Sequence, residues 1–345
     1  MNEKYIYGIV DSCNEFSLGI AGIGGGIVYT LSHRGVSCLL SDYDGEEFNS
    51  MAKKDIVRHS MEHQSVVENA MKKYTLLPVK FGTLLTSQYE VRNLLEQGHQ
   101  KFVDVLAWIA DKVELEIAAT CNMHRMLQGL RKEEDIAQKQ KQVALDECIS
   151  LEKMFKASIE RRKNNYRERI TNYLSPIILD VHPNIMNPDD MVINMAFLIE
   201  KTNQDRFNSM VWQLNNIFRD EINLHILGPL PPYSFAMVEV TKLSPEEIDA
   251  ARHLLHLSEN FSELDVDKAY HYLAKEAHPN GKQEERLTKM RSTSLRQAYN
   301  VLIARCRCQT KQGEHMLINI RRQSDKQFQR LLDTQRPCVS VNMLS

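Results

Sequence analysis

Apolar positions along the chain recur with two different periods, and the switches between them mark the elements. From Lys4 to Asp11, tyrosines and β-branched residues crowd together, which predicts a strand. The glycines at Gly22, Gly24, Gly25 and Gly26 predict a turn. Strand character resumes from Ile27 to Leu31 and from Val36 to Asp42, ending in the turn signal Asp42-Tyr43-Asp44-Gly45. Between Lys53 and Tyr74, the residues Ile56, Val57, Met61, Val66, Val67 and Met71 follow the spacing of a helix packed by one face on a sheet. Leu76 to Leu84 is apolar but holds a proline, so an edge strand or strand start is expected. Helical spacing returns from Val91 to Ala110. Lys112 to Thr120 then alternates, with Val113, Leu115 and Ile117 against Lys112, Glu114 and Glu116, the mark of a half-buried strand. The mixture over residues 1–121 predicts an α+β domain of ferredoxin-like type.

Residues 122–174 carry a single glycine and no proline, and their apolar positions predict helical segments around a polar middle from Arg131 to Gln142, as one rod or a hairpin. Pro176 to Pro188 breaks the helix. Val192 to Glu200 reads as a strand, Thr202 to Arg219 as a helix capped by Thr202, and Ile222 to Leu227 as a strand. Residues 122–241 are therefore a helix-rich middle with a second β-α-β element. Its end, Gly228-Pro229-Leu230-Pro231-Pro232-Tyr233-Ser234-Phe235, is locked in an extended shape by its prolines, and a strand from Ala236 to Thr241 follows. Ser244-Pro245-Glu246-Glu247 combines a serine cap, a first-turn proline and first-turn acids. It opens an all-helical module over residues 244–307. Residues 308–345 are polar and patternless, and a loosely ordered tail is expected there.

A length of 345 residues suits two or three domains. The net charge of -2 creates no global field, which argues against nucleic acid or an anionic membrane as partner. No stretch approaches the roughly 18 to 20 apolar residues of a membrane span, and the short run after Met1 reads as a strand rather than a signal peptide, so a cytoplasmic protein is expected. Seven cysteines, an odd number without a CxxC pair, fit reduced thiols rather than a disulfide framework. The glycines at 22–26 do not form GxGxxG and lead into a strand, not a helix, so they build no phosphate cradle. His59 and His63 share one helical face, but Glu62 directly precedes the second histidine and HExxH is absent. The pair reads as a surface pair or as a seal between helix and sheet. No catalytic, cofactor or metal residues are assigned, and an enzyme is not expected.

Three segments together resemble one family. They are Tyr5-Ile6-Tyr7-Gly8-Ile9-Val10, Tyr74-Thr75-Leu76-Leu77-Pro78-Val79-Lys80-Phe81-Gly82-Thr83 and Gly228-Pro229-Leu230-Pro231-Pro232-Tyr233-Ser234-Phe235. His63 and Val211-Trp212 also fit. Over about residues 4–241 the chain resembles the GvpL/GvpF family of gas vesicle proteins, departing from it at Leu230, where the family often has tryptophan. The resemblance implies an accessory or minor structural protein of the gas vesicle, located there and in the cytoplasm. Its implied partners are the small hydrophobic shell protein and other accessory proteins. Holding an apolar, polymerising subunit requires exposed apolar or backbone-donor surface. Phe81, Gly82, Pro229, Pro231, Pro232, Tyr233 and Phe235 are the candidates for that surface; the alternative is that they simply close the core.

A second resemblance covers about residues 246–305. Ala269-Tyr270-His271-Tyr272-Leu273-Ala274, then His278-Pro279-Asn280, then Arg296-Gln297-Ala298-Tyr299-Asn300-Val301-Leu302 look like a J domain, with aromatic and leucine pairs forming the seam between antiparallel helices. The family's loop is His-Pro-Asp. Here Asn280 replaces the aspartate, removing a charged acceptor, and charge-assisted bonds are about twice as strong as neutral ones. The module therefore reads as a degenerate, docking J-like unit. The alternative is a co-chaperone that delivers shell subunits to a DnaK-type chaperone.

Overall fold

The computed structural model describes residues 3–46, 48, 50–131, 148–186, 190–218, 221–276, 285–307 and 315–322. Contacts divide the chain into two units, one from residues 1–108 and 237–321, the other from residues 109–236.

In the first unit, β1 (Glu3–Val10) runs antiparallel between β4 (Val36–Tyr43) and β5 (Leu76–Pro78). β3 (Ile27–His33) and β2 (Ser17–Ala21) extend the sheet in the order β2-β3-β4-β1-β5, and the short β6 (Leu84–Leu85) also pairs with β1. With neighbours at both edges, β1 buries Tyr5, Ile6, Tyr7, Ile9 and Val10 completely. That is why its apolar run is continuous rather than alternating. Helix α1 (Lys53–Met71) touches β1 and β5 and buries His59, His63, Val66, Val67 and Ala70. Helix α2 (Gln88–Ile109) buries Val91, Leu94, Leu95, Phe102, Val105 and Leu106, the stripe its sequence predicts.

The second unit runs β7 (Lys112–Cys121), α3 (Met123–Arg131), α4 (Cys148–Leu174), β8 (Asp180–Pro183), β9 (Met191–Glu200), α5 (Gln204–Ile217) and β10 (Ile222–Leu230). Its antiparallel sheet has the order β10-β7-β9-β8. Helix α3 contacts α4, and α4 contacts both α5 and β9.

Mixed α and β structure with antiparallel sheets is thus present, but the ferredoxin-like order expected of residues 1–121 is not. Four strands precede the first helix there, because the stretch around the Gly22–Gly26 turn is too short and too glycine-rich for a crossover helix and folds as a meander. Strand β7, expected to close that domain, is the second strand of the other sheet. Along β7 to β10 the described elements run strand, two helices, two strands, helix, strand. Three smaller expectations also change. The Pro176–Pro188 break contains β8. Thr202 lies in a short 3-10 turn, and Asn203 stands at the helix cap without a side-chain bond. Within the expected tail, His315–Arg322 forms a strand.

The remainder of the first unit consists of β11 (Ala236–Leu243), α6 (Pro245–Leu254), α7 (Glu263–Glu276), α8 (Glu285–Arg307) and β12 (His315–Arg322), with β11 paired to β12. Helix α6 starts as its sequence dictates. Ser244 Oγ accepts the Glu247 amide at 3.2 Å, and Glu247 accepts the Ser244 amide at 2.9 Å, a reciprocal capping box. Ile248, Ala251, Val266, Leu273, Leu295 and Leu302 form the core of these three helices. A parallel bridge between Val79 and Val238, with the Lys80 amide donating to the Val238 carbonyl at 2.9 Å, ties β11 to the chain just past β5.

Candidate interaction site

The candidate residues are divided between the two units. Phe81 and Gly82 follow β5 in the first unit. Phe81 is half-buried in a ring cluster, with centroids 5.1 Å from Phe48, 5.8 Å from His63 and 6.3 Å from Tyr5. Gly82 has φ +83°, a left-handed conformation that a side chain resists. Its amide donates to Tyr5 Oη at 3.1 Å, and Tyr5 Oη shares a proton with His63 Nδ1 at 2.9 Å. The loop is therefore held from below by a strand residue and a helix residue far apart in sequence. Burial pushes the His63 imidazole down to about 4, so it is neutral at physiological pH. A groove of about 360 Å³ runs along Lys80–Leu85 and Glu239–Lys242. Its charges are paired: Lys80 with Glu239, and Lys242 with the buried Glu90 at 3.2 Å.

The proline segment lies in the second unit. Gly228, at φ +122°, packs so closely on β7 that an added Cβ would lie 2.9 Å from the Glu114 carbonyl oxygen. Pro229 is exposed, Tyr233 is half-buried, and Pro231, Pro232 and Phe235 are buried. The turn closes on itself, with the Tyr233 amide donating to the Pro231 carbonyl at 2.7 Å and the Phe235 amide to the Pro232 carbonyl at 3.0 Å. Ser234 fixes it to β7: its amide donates to Glu114 Oε2 at 2.8 Å and its hydroxyl to Oε1 at 2.7 Å. Strand alternation puts Glu114 on the polar face with Lys112 and Glu116, so the sequence gives no sign of its burial. The Ser234 turn covers it, and desolvation raises its carboxyl to about 7 despite the two bonds. Serine and glutamate are 120 positions apart, and no local pattern links them.

The J-like loop, His278-Pro279-Asn280, lies outside the described residues. The helices flanking it are in contact: Tyr270 and Tyr299 have ring centroids 4.7 Å apart, and Tyr299 Oη donates to Asp267 at 2.7 Å.

The two histidines on α1 are engaged structurally. His59 bonds Glu62 at 2.9 Å while His63 bonds Tyr5, so the two imidazoles serve different partners. Among the described residues, no group of three or more His, Cys, Asp or Glu side chains could hold a metal ion, and no helix is long and apolar enough to cross a membrane.

Comparison with known proteins accounts for this arrangement. The sequence model of the family described as gas vesicle synthesis protein GvpL/GvpF matches residues 3–237. Gas vesicle protein F of Nostoc sp. is 24% identical over 244 residues, covering 68% of this chain and 98% of the relative. Gas vesicle protein L of Haloferax mediterranei is 22% identical over 239 residues, covering 62% of this chain and 72% of the relative. Among solved structures, the gas vesicle protein GvpF from Anabaena sp. superposes with a TM-score of 0.61 at 22% identity, over 68% of this chain and 98% of its own. The GvpF from Microcystis aeruginosa does so with a TM-score of 0.57. The structural likeness shares the fold, and the family match spans the two larger β-sheets: the chain belongs to the GvpL/GvpF family of gas vesicle proteins.

Proposed function

We propose that the protein is a gas vesicle assembly factor that binds the small hydrophobic shell protein, and other accessory proteins, while the shell is built, and that it catalyses no reaction. The observation that carries this reading is the family match over residues 3–237. The physical state of the chain agrees with it. Two buried ionisable groups are tied into structural bonds, Glu114 to Ser234 and His63 to Tyr5. Large apolar side chains stand out in solvent, among them Trp212 at 67% and Ile185 at 78% exposure. Such surface suits the transient holding of an apolar subunit. Of the candidate residues, Phe81, Pro229 and Tyr233 keep accessible atoms, while Pro231, Pro232 and Phe235 shape the loop from inside. The reading places the protein in the cytoplasm and on the growing vesicle. It is tested by immobilising the full chain and exposing it to the purified shell protein of the same gene cluster. Specific retention is expected, and passage of the shell protein at the level of an unrelated control would overturn it.

A second reading, a J-type co-chaperone that feeds shell subunits to a DnaK-type chaperone, is favoured by the Tyr270–Tyr299 seam. Under that reading His278→Gln abolishes stimulation of the chaperone's ATP hydrolysis. Under the first reading the wild-type chain gives no stimulation and the substitution leaves shell binding intact.

A further inference from the structure

The β10 edge of the second sheet is guarded along one half and open along the other. β10 ends the order β10-β7-β9-β8, so its far side has no strand neighbour. Backbone parity follows from the bonds around it. The Leu179 amide donates to the Leu198 carbonyl and the Asn184 amide to the Asn194 carbonyl, so the even-numbered residues of β9 face β8. The odd-numbered ones, Ile193, Met195 and Phe197, face β7 at Ala119, Ile117 and Leu115. In β7 the even-numbered residues are left to bond β10, where Thr120, Ala118 and Glu116 oppose Asn223, His225 and Leu227. The amides and carbonyls of Ile222, Leu224 and Ile226 therefore point away from the sheet.

At two of these three positions the outward amide is already bonded. The Ile222 amide donates to the Phe218 carbonyl at 3.2 Å. Leu224 is clasped on both sides by one side chain: its amide donates to Asn215 Oδ1 at 2.9 Å, and Asn215 Nδ2 donates to its carbonyl at 3.1 Å. Asn215 thus occupies the place of a neighbouring strand. At Ile226 the clasp has ended, and no described residue bonds its outward amide or carbonyl. The same end of the edge is apolar. Ile226 is 37% exposed and Leu227 59%. Helix α5 runs back along β10, since Phe218 meets Ile222 and Asn215 meets Leu224. Trp212, one turn before Asn215 and on the same helical face, stands in the direction in which the strand advances to Ile226.

We propose that this open end, Ile226-Leu227 with Trp212, is where the shell protein docks, by adding an uncharged, extended apolar segment as a fifth strand. This rests on the assembly-factor reading above. The occupant follows from the chemistry of the edge. Unpaired amide and carbonyl groups are satisfied in register by another strand. Edges that avoid such pairing carry lysine or another charge, whereas β10 from Ile222 to Leu230 has none. A charged segment would find no counter-ion along it and would lose its hydration, so the complementary partner is uncharged and apolar. Trp212 supplies an anchor of the kind that concentrates binding energy.

The test measures the affinity of the immobilised full chain for purified shell protein in three variants. Ile226→Pro removes the outward amide while His225 and Leu227 keep their bonds to β7, and it should weaken binding at least tenfold. Trp212→Ala should weaken it severalfold. Asn215→Ala unclasps Leu224, lengthens the free edge, and should strengthen binding. Binding unchanged in both Trp212→Ala and Asn215→Ala overturns the proposal, whether or not Ile226→Pro folds. Binding lost equally in a charge substitution at an exposed apolar residue of the first unit, Met61→Lys, overturns it as well. No binding by the wild-type chain overturns the assembly-factor reading itself, and this site with it.

Discussion

Ser234 donates two hydrogen bonds to Glu114, one from its amide and one from its hydroxyl, and these bonds hold the proline turn against a buried carboxylate. Burial raises the Glu114 carboxyl from 4.5 to about 7. An acid whose folded value lies above its unfolded value binds more protons when folded. Stability therefore falls as pH rises from about 4.5 through 7 and is regained on acidification. The shift corresponds to an effect on the order of 3 kcal/mol. Glu114→Gln retains a partner for each Ser234 donor or acceptor and removes the titration. Denaturant melts of the two proteins across that window should converge at low pH and separate at pH 8, with the glutamine variant the more stable.

His63 titrates with the opposite consequence. Its imidazole is lowered from 6.5 to about 4 by burial beneath the Gly82 loop, so the unfolded chain binds more protons between those values. Stability supplied by the neutral ring is complete above pH 6.5 and is lost as pH falls toward 4. Acid should therefore loosen the first unit while tightening the second. Hydrogen exchange at pH 5 compared with pH 7.5 should show faster exchange in α1 around His63 and slower exchange in residues 231–236. Changes of the same sign in both places would contradict this assignment.

Gly228→Ala meets two obstacles, a φ of +122° and a contact of 2.9 Å with the Glu114 carbonyl oxygen. The cost expected is about 3 kcal/mol. Gly82→Ala meets only the first, since the nearest atom to its new Cβ would be Phe48 Cγ at 3.8 Å, and should cost about 1 kcal/mol. Thermal unfolding of the two single variants should rank them in that order.

Ser244→Ala removes one half of the capping box at the start of α6. About 1 kcal/mol of stability should be lost, with the family-matched residues 3–237 unaltered in circular dichroism and shell binding.

These contrasts show where the sequence speaks and where it does not. The helices α1, α2 and α6 are legible because a 3.6-residue stripe or a serine-proline-acid start is a local signal, written within a few turns of chain. β1 and β7 are legible for the same reason. Sheet membership is not, because β7 pairs with β9 some 80 positions later and nothing local selects β9 over β1. The candidate loops were visible as glycine and proline clusters, yet not which side chains they bury. Glu114 alternates as a surface residue and is covered by a turn far along the chain, and Asn215 reads as an ordinary helix-face polar residue until its clasp on Leu224 is seen.

The assembly role is tested most directly in cells that make gas vesicles, by deleting the gene for this chain and counting intact vesicles by electron microscopy, with and without the wild-type chain restored. The account predicts loss or marked shortage of vesicles, with shell protein accumulating outside them, and recovery on restoration. Vesicles of normal number and shape in the deletion strain would contradict it.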